Sequence, residues 1–122
     1  MISQIPSIPE NWIDQMKKHG LIMNAKTETY GVWHNGLLVG CCGILFQKGN
    51  VALFKSDFIL EEYRGLGLHK KSLEARIKLC KSKGVRKAIA HCTKMSLNNY
   101  LLLGAKPVTY YKNGIVKVCF SL

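Results

Sequence analysis

Acidic residues are scarce in this chain of 122 residues, where seven aspartates and glutamates stand against 18 lysines and arginines and give a formal net charge of +11. No apolar stretch approaches the roughly 20 residues that a membrane-spanning helix needs. The N-terminus also lacks the basic and apolar segments of a secretory signal. We therefore expect a soluble, cytoplasmic protein with no membrane partner, whose basic surface attracts phosphate groups, nucleic acid or acidic proteins.

Cysteine pairs and a second domain are missing as well. The five cysteines are an odd number and contain no C-x-x-C spacing, so neither a metal site nor a disulfide framework is indicated. We expect reduced thiols that pack as small hydrophobic side chains. The length fits a single domain spanning residues 1–122, because a chain of this size builds one compact core.

The order of apolar and turn residues predicts an α/β domain. Ser7 and Glu10 predict the start of one amphipathic helix, which stops at Gly20. The Asn35-Gly36 pair predicts a hairpin turn within a meander of three strands, since both residue types tolerate positive φ. The meander strands cover residues 29–33, 37–46 and 51–60, followed by a helix over 68–83, a strand over 87–92, a helix over 96–103 and a closing hairpin over 108–120. A right-handed crossover makes strands 51–60 and 87–92 parallel neighbours.

An anion site is predicted where the third strand meets the long helix. The turn reads E-Y-R-G-L-G-L-H over residues 62–69. Backbone amides at a helix N-terminus carry partial positive charge, glycines let the chain approach a diphosphate, and Arg64 adds a cation. The P-loop pattern is absent. A Rossmann fingerprint also fails, because Lys70 stands where the third glycine belongs. An ordinary tight turn into a helix is the alternative.

Residues 58–68, F-I-L-E-E-Y-R-G-L-G-L, resemble the acetyl-CoA-binding motif of the GNAT superfamily of N-acetyltransferases. Residues 96–105, S-L-N-N-Y-L-L-L-G-A, are similar to a second motif of that family, and the resemblance extends over about residues 30–122. It implies a GNAT-like single domain: a mixed, mostly antiparallel sheet with a central βα crossover and a shortened N-terminal region. The family has a first strand and two helices before the meander, whereas only one helix is evident here. We therefore expect an open acceptor site.

The resemblance also implies how acetyl-CoA binds. The backbone of Ile59 would pair with the pantetheine arm, and the loop from Arg64 to His69 would wrap the diphosphate. His69 stands where the family has a small residue, so its side chain would face the diphosphate and could donate to a phosphate oxygen. Thr93 stands where a cofactor-contacting asparagine is common. The implied cofactor positions are Ile59, Arg64, Gly65, Leu66, Gly67, Leu68, His69, Lys70, Thr93 and Asn99.

Tyr100 matches the family's proton donor to the departing thiolate. A phenol with a pKa near 10 suits that leaving group, and the alternative is a core aromatic on an amphipathic helix. Asp57 is an unusual charge in the third strand. It is either a catalytic residue that orients or deprotonates the acceptor, or a salt-bridge partner of Lys55 or another cation.

The general base stays open at this point. The candidates by location are Asp57, Glu61, Glu62, His69 and His91. We expect Glu62 to belong to the turn, and His91 to be a packed strand histidine. Water could also take the proton.

The resemblance implies an N-acetyltransferase that moves acetyl from acetyl-CoA to a primary amine by direct attack in a ternary complex. Small polycationic acceptors need an acidic cleft, which the charge balance disfavours. An acceptor on an acidic protein or an RNA-associated partner fits better. The alternative is a catalytically weak or inactive CoA-binding module that acts through its basic surface on nucleic acid or protein. The apolar closing strand, residues 115–122, predicts that a homodimer could form through its edge.

Overall fold

The computed structural model describes residues 2–18 and 26–122, and these ranges contain seven strands and three α-helices. The strands are β1 (Ile2–Gln4), β2 (Glu28–His34), β3 (Leu37–Gln47), β4 (Val51–Ile59), β5 (Lys87–Cys92), β6 (Lys106–Tyr110) and β7 (Val116–Ser121). The helices are α1 (Glu10–Lys18), α2 (Leu68–Ser82) and α3 (Lys94–Leu102), and a short 3₁₀ helix, Glu61–Tyr63, links β4 to α2. None of the helices in the described ranges is both long and apolar enough to cross a membrane.

All seven strands form one sheet in the order β1-β2-β3-β4-β5-β7-β6. Neighbouring strands are antiparallel except β4 and β5, which are parallel and joined through α2. Parallel neighbours need a crossover of this kind, because a tight turn can join only antiparallel strands. The predicted α/β class, the mostly antiparallel sheet and the central βα crossover are confirmed.

β4 and β5 pair over only part of their length. Residues 51–54 lie beside residues 87–90, and beyond them the two strands separate. Just past this point Ser56 has a φ of +60°, and the pairing of β4 with β3 shifts between Cys41 and Gly43. An extra residue of this kind bends a strand. It leaves an opening between residues 55–59 of β4 and the end of β5, which we call the splay.

The helices cover the two faces of the sheet unequally. α2 and α3 cover one face with a large core that includes Leu73, Cys80 and Tyr100. α1 covers part of the other face, where Trp12 and Met16 pack in a smaller core. Side chains alternate between faces along a strand, so adjacent residues of β3 enter different cores.

The N-terminal region differs from the prediction in two ways. β1 pairs with β2 and supplies a first strand that the sequence did not indicate. α1 begins at Glu10 rather than after a cap at Ser7. The residue before a proline is biased away from helical backbone, and Ile8 precedes Pro9, which delays the helix. The predicted stop at Gly20 lies outside the described residues.

The closing strand lies inside the sheet. β7 is hydrogen-bonded to β5 on one side and to β6 on the other, so the prediction that its edge could pair with a second copy is wrong. β7 carries the buried Val116, Val118 and Phe120, whereas the residues of β6 are almost all exposed. Placing β7 in the interior therefore buries more apolar area and leaves β6 at the edge.

Candidate active site

A cavity of about 550 Å³ opens at the splay. Its walls are the outer half of β4, the turn that leads into α2, the end of β5 and the first turns of α3. Of the predicted site residues, it is lined by Asp57, Ile59, Arg64, Gly65, Gly67, Leu68, His69, Thr93, Asn99 and Tyr100. Leu66 and Lys70 are not in its lining. The fold thus gathers residues from three separate segments of the sequence.

The glycine turn presents the first amides of α2 to the cavity. Gly65 and Gly67 have φ values of +80° and +75°, in the left-handed region that favours glycine. A Cβ at either position would meet nothing within 4 Å, so backbone conformation rather than crowding requires glycine. Gly67 offers no side-chain cap, and the first N–H groups of a helix have no partner within it. Their partial positive charge suits an anion such as a diphosphate.

The end of β4 points backbone groups into the splay. The Leu60 N–H donates to the Val39 carbonyl, on the β3 side, at 2.9 Å. Backbone groups of successive strand residues point to opposite sides, so those of Ile59 face the splay. The Arg64 Nε donates to the Ile59 carbonyl at 2.9 Å. This bond ties the glycine turn to the strand end and leaves the Ile59 N–H directed at the splay.

Asp57 is the centre of a polar cluster at the floor of the cavity. Its Oδ2 accepts a hydrogen bond of 2.9 Å from the Tyr100 hydroxyl and lies 2.9 Å from the His69 Nε2. Its Oδ1 lies 2.7 Å from the Arg76 Nη1. The Asn99 Nδ2 is 2.9 Å from the other ring nitrogen of His69. We call these five residues the carboxylate cluster.

The cluster occupies both nitrogens of His69. An ionised carboxylate only accepts hydrogen bonds, so the His69 Nε2 donates to Asp57, and the Nδ1 accepts from the Asn99 amide. The imidazole is therefore held between β4 and α3. This corrects the expectation that the side chain is directed at the diphosphate, although the backbone N–H of His69 still belongs to the first turn of α2.

Arg76 was missed by the sequence reasoning, which paired Asp57 with Lys55 or an unspecified cation. The residue is fully buried, and its guanidinium carbon lies 4.8 Å from the centre of the Phe54 ring. The Nη1 also donates to the Gly43 carbonyl at 3.3 Å, while the Nε and Nη2 have no hydrogen-bond partner in the described part of the chain. A signal was present, because residue 76 falls on the apolar face of α2, three residues after Leu73.

Charge and burial set the protonation states of the cluster. Burial by itself raises the pKa of Asp57, but the Arg76 charge and the His69 hydrogen bond outweigh it and hold that pKa well below its usual range. Burial, followed by the Asp57 charge, raises the pKa of Tyr100 well above its usual value. At neutral pH the carboxylate is ionised and the phenol is neutral. A carboxylate with so low a pKa is a weak base, so its chemistry suits holding Tyr100 rather than removing a proton.

The other candidate bases lie in different places. Glu61 and Glu62 are exposed on the 3₁₀ helix and do not line the cavity. His91 does line it, and its exposed ring lies 6.1 Å from the ring of Tyr111. The prediction of a packed strand histidine is wrong, because alternation along β5 sends Ala90 to the core and His91 to the opposite face.

The cysteines take no part in the cavity. All five are free thiols, and Cys41, Cys42, Cys80 and Cys92 are buried. Burial raises the pKa of Cys41 and of Cys92 to about 12, so these thiols stay protonated. None of the five, all within the described ranges, lines the cavity, and no group of three or more metal-ligating side chains occurs among the described residues.

The model of the family described as "Acetyltransferase (GNAT) family" matches residues 3–102. The chain belongs to this family. The predicted resemblance is thereby confirmed, and the match reaches further toward the N-terminus than the segment from residue 30 that carried the prediction. In this GNAT domain the match begins within β1, at Ser3.

Solved structures share the fold of this GNAT domain at low sequence identity. The IAA acetyltransferase from Bacillus cereus ATCC 14579 is 18% identical, with a TM-score of 0.77 over 100% of this chain and 99% of that chain. A GNAT family acetyltransferase from Elizabethkingia anophelis, with acetyl-CoA bound, is 16% identical, with a TM-score of 0.72 over 100% and 97%. The ribosomal-protein alanine N-acetyltransferase from Escherichia coli is 14% identical, with a TM-score of 0.75 over 99% and 92%. No curated protein sequence matches the chain.

Proposed function

We propose that this protein is an N-acetyltransferase that moves the acetyl group of acetyl-CoA to a primary amine by direct attack in a ternary complex. The observation that carries the proposal is one cavity with the amide-rich turn of α2 at one end and the Tyr100 hydroxyl at its floor. Membership of an acetyltransferase family and a solved relative with acetyl-CoA bound support the cosubstrate.

The residues present fit a diphosphate and an extended amide-bearing arm. The first-turn amides of α2 and the Arg64 side chain would hold the diphosphate. The arm would lie in the splay, where the Ile59 N–H can donate to one of its carbonyls. Thr93 and Asn99 close the same cavity from the α3 side. When bound, acetyl-CoA supplies the thioester on which an amine can act.

Direct attack has three requirements. The amine must be neutral, the thioester carbonyl must be polarised, and the leaving thiolate must be protonated. A β4 amide in the splay can polarise the carbonyl oxygen. Tyr100 can protonate the sulfur if its O–H turns from the Asp57 Oδ2 toward the leaving group as charge develops there. His91 has an exposed ring on the cavity wall and can take the amine proton directly or through water.

The positive charge of the cavity wall indicates which kind of acceptor the site would bind. The cavity wall carries Lys55, Arg64 and two histidines, and Asp57 is already paired with a buried arginine. A small polycation would meet repulsion there. We assign the acceptor to an amine on an acidic protein or RNA-associated partner, and the Escherichia coli relative, named for a ribosomal-protein alanine, is an example of a protein acceptor in this fold.

Replacement of Tyr100 tests the reaction. Tyr100→Phe is expected to lower kcat by about 100-fold or more, the range for loss of a general acid, with the affinity for acetyl-CoA unchanged. Thiol release in the presence of a panel of amines measures kcat, and isothermal titration calorimetry measures the affinity. Tyr110→Phe, at an exposed tyrosine of the edge strand β6, is the matched control and should keep full activity. A Tyr100→Phe enzyme with unaltered kcat would remove the proposed role.

One observation favours a second function. The Tyr100 hydroxyl is committed to Asp57, and its raised pKa weakens it as an acid. A CoA-binding module of low or no activity would bind acetyl-CoA and release no thiol with any amine. Its Tyr100→Phe variant would bind nucleic acid or protein as the unmodified chain does. If the partner is nucleic acid, the affinity should fall steeply with salt.

A further inference from the structure

The sheet face opposite α2 and α3 carries an apolar row beyond the part that α1 covers. Strand register places its members side by side: Leu45 beside Leu53, Leu53 beside Ile89, and Ile89 beside Cys119. All four are partly buried, and within the described ranges neither hydrophobic core includes them. Strands lie about 4.8 Å apart, so the row runs roughly 14 Å across four strands, and no helix within residues 2–18 and 26–122 shares a hydrophobic core with it.

Lysines surround this row. Lys117 lies on one side of it, directly opposite His91, and Lys55 lies two residues beyond Leu53 on the same side. Lys87 lies on the other side, next to Val51, and Lys106 ends the row beside Cys119. We call the row and its four lysines the basic face.

The basic face has no acidic member. Acidic residues occur at only two positions in the described strands, Glu28 and Asp57. Glu28 is paired with the core residue Ile44 and reaches toward Lys83 at the end of α2, on the covered side of the sheet. Asp57 is neutralised by the buried Arg76. The positive charge of the face is therefore not balanced by neighbouring strand residues.

The basic face leads to the splay. Lys55 follows the last β4 residue that pairs with β5, and His91 follows the last β5 residue that pairs with β4. Both line the cavity, and alternation places both on the uncovered side of the sheet. A molecule that lies on this face therefore meets the cavity from the side opposite the α2 amides, which we assign to the diphosphate.

We propose that the basic face docks an acidic polypeptide segment with aliphatic side chains, and that this segment carries the acceptor amine to the splay. The inference rests on the proposed acetyl transfer and names its substrate class. Charge complementarity selects an acidic partner. The aliphatic row selects polypeptide over nucleic acid, because single strands bind on aromatic stacking platforms, and none of the eight residues that define the basic face is aromatic.

Paired lysine variants test the docking. Lys87 and Lys117 lie on the basic face but do not line the cavity, whereas Lys78 and Lys81 are exposed on the outer side of α2. The double variants Lys87→Ser/Lys117→Ser and Lys78→Ser/Lys81→Ser make the same charge change on opposite sides of the molecule. The probe is a short peptide of alternating glutamate and leucine with a free N-terminal amine and a C-terminal fluorophore. Its companions replace glutamate with lysine or glutamine.

The dissociation constant of the acidic peptide, measured by fluorescence anisotropy without acetyl-CoA, should rise about tenfold (about 1.4 kcal/mol) in Lys87→Ser/Lys117→Ser, since two positive charges of the face are removed. It should change less than twofold in Lys78→Ser/Lys81→Ser. In turnover, the KM for the peptide should rise while the KM for acetyl-CoA stays constant. Three results would overturn the proposal. Both double variants could lose affinity for the acidic peptide equally, the lysine peptide could bind as tightly as the acidic one, or oligothymidine could bind more tightly through the same lysines.

The assay also separates the two proposals. Binding of the acidic peptide through Lys87 and Lys117 without any thiol release would support the basic face and count against the proposed acetyl transfer. The opposite result is thiol release with simple amines and a peptide affinity that is unchanged when both lysines are replaced. It would support the acetyl transfer and overturn the proposed role of the basic face.

Discussion

At the scale of single residues, the carboxylate of Asp57 is tolerated in a mostly apolar setting because its partners compensate for the lost water. Its side chain is 17% exposed, and the Arg76 side chain is 0% exposed. Burying two charges costs several kcal/mol each, and the cost is recovered only with good geometry and further hydrogen bonds. The bonds from His69 and Tyr100 supply part of this compensation. Removal of either charge would leave the other unpaired inside the protein.

Asp57→Asn is therefore expected to lower the free energy of unfolding at pH 7 by about 3 kcal/mol, the lower end for breaking a buried pair. The neutral amide would leave the Arg76 charge uncompensated. Urea denaturation followed by circular dichroism measures the change. Asp14→Asn, on the exposed side of α1, is the control and should stay within about 0.5 kcal/mol of the unmodified chain.

The stability effect of Asp57→Asn is also expected to depend on pH in the acid range. The pKa of Asp57 is lower in the folded than in the unfolded chain, so its contribution is complete above the unfolded pKa of about 3.9 and is lost as the pH falls below it. The stability difference between Asp57→Asn and the unmodified chain should be constant from pH 7 to about 5 and shrink as the pH is lowered further. A difference that grew in acid would contradict the assigned ionisation.

At the scale of elements, the connection between β4 and α2 holds several features of the cavity within one short segment of the chain. The two left-handed glycines, the Arg64 bond to the strand end and the uncapped first turn of α2 all lie within residues 59–70. Each depends on near neighbours in the chain. This is why the sequence motif alone could predict an anion site at this turn.

Two glycines at opposite ends of α2 test that connection. Gly67 and Gly84 have nearly equal φ values, +75° and +76°, and neither has an atom near a built Cβ. Gly67→Ala and Gly84→Ala should each lower the free energy of unfolding by about 1 kcal/mol, the cost of a left-handed alanine. Only Gly67→Ala should weaken acetyl-CoA binding in calorimetry, by about tenfold (about 1.4 kcal/mol), because only that turn presents amides to the cavity. Equal weakening by Gly84→Ala would contradict the assignment.

At the scale of the whole molecule, the order of the sheet decides which strands are protected. β7 has hydrogen-bonded neighbours on both sides, whereas β6 has one and carries Pro107, which cannot donate. An edge strand of this kind resists unwanted pairing. The same order brings β5 next to β4 and so creates the splay.

Amide hydrogen exchange tests this order. The Val118 amide, in the interior strand, should exchange only with global unfolding, while that of Val108, in the irregular part of the edge strand, should exchange through local opening. Exchange followed by two-dimensional NMR gives both rates in one experiment. Comparable protection of Val108 would show that β6 has a second partner strand, as a dimer through that edge would provide.

Much of the fold could be predicted because its signals are local. β5 has the predicted bounds, α2 ends one residue before the predicted end, and the Asn35-Gly36 turn joins β2 to β3. β1 could not be predicted, since three residues show no periodicity and form a strand only by pairing with β2. α3 starts at Lys94 and ends at Leu102, two residues before the predicted start and one residue before the predicted end.

By itself the sequence determined the family, the glycine turn that we propose for the diphosphate, and the placing of Asp57 in a strand and Tyr100 in a helix, because these depend on residue type and on spacing along one segment. Only the tertiary structure decided that Asp57 is paired with Arg76, that His69 is turned toward Asn99, and that β7 lies inside the sheet. Those features depend on which apolar faces meet across the sheet. A residue such as Arg76 then takes its role from what surrounds it, since burial in the core turns an ordinary helix charge into the counter-ion of the site.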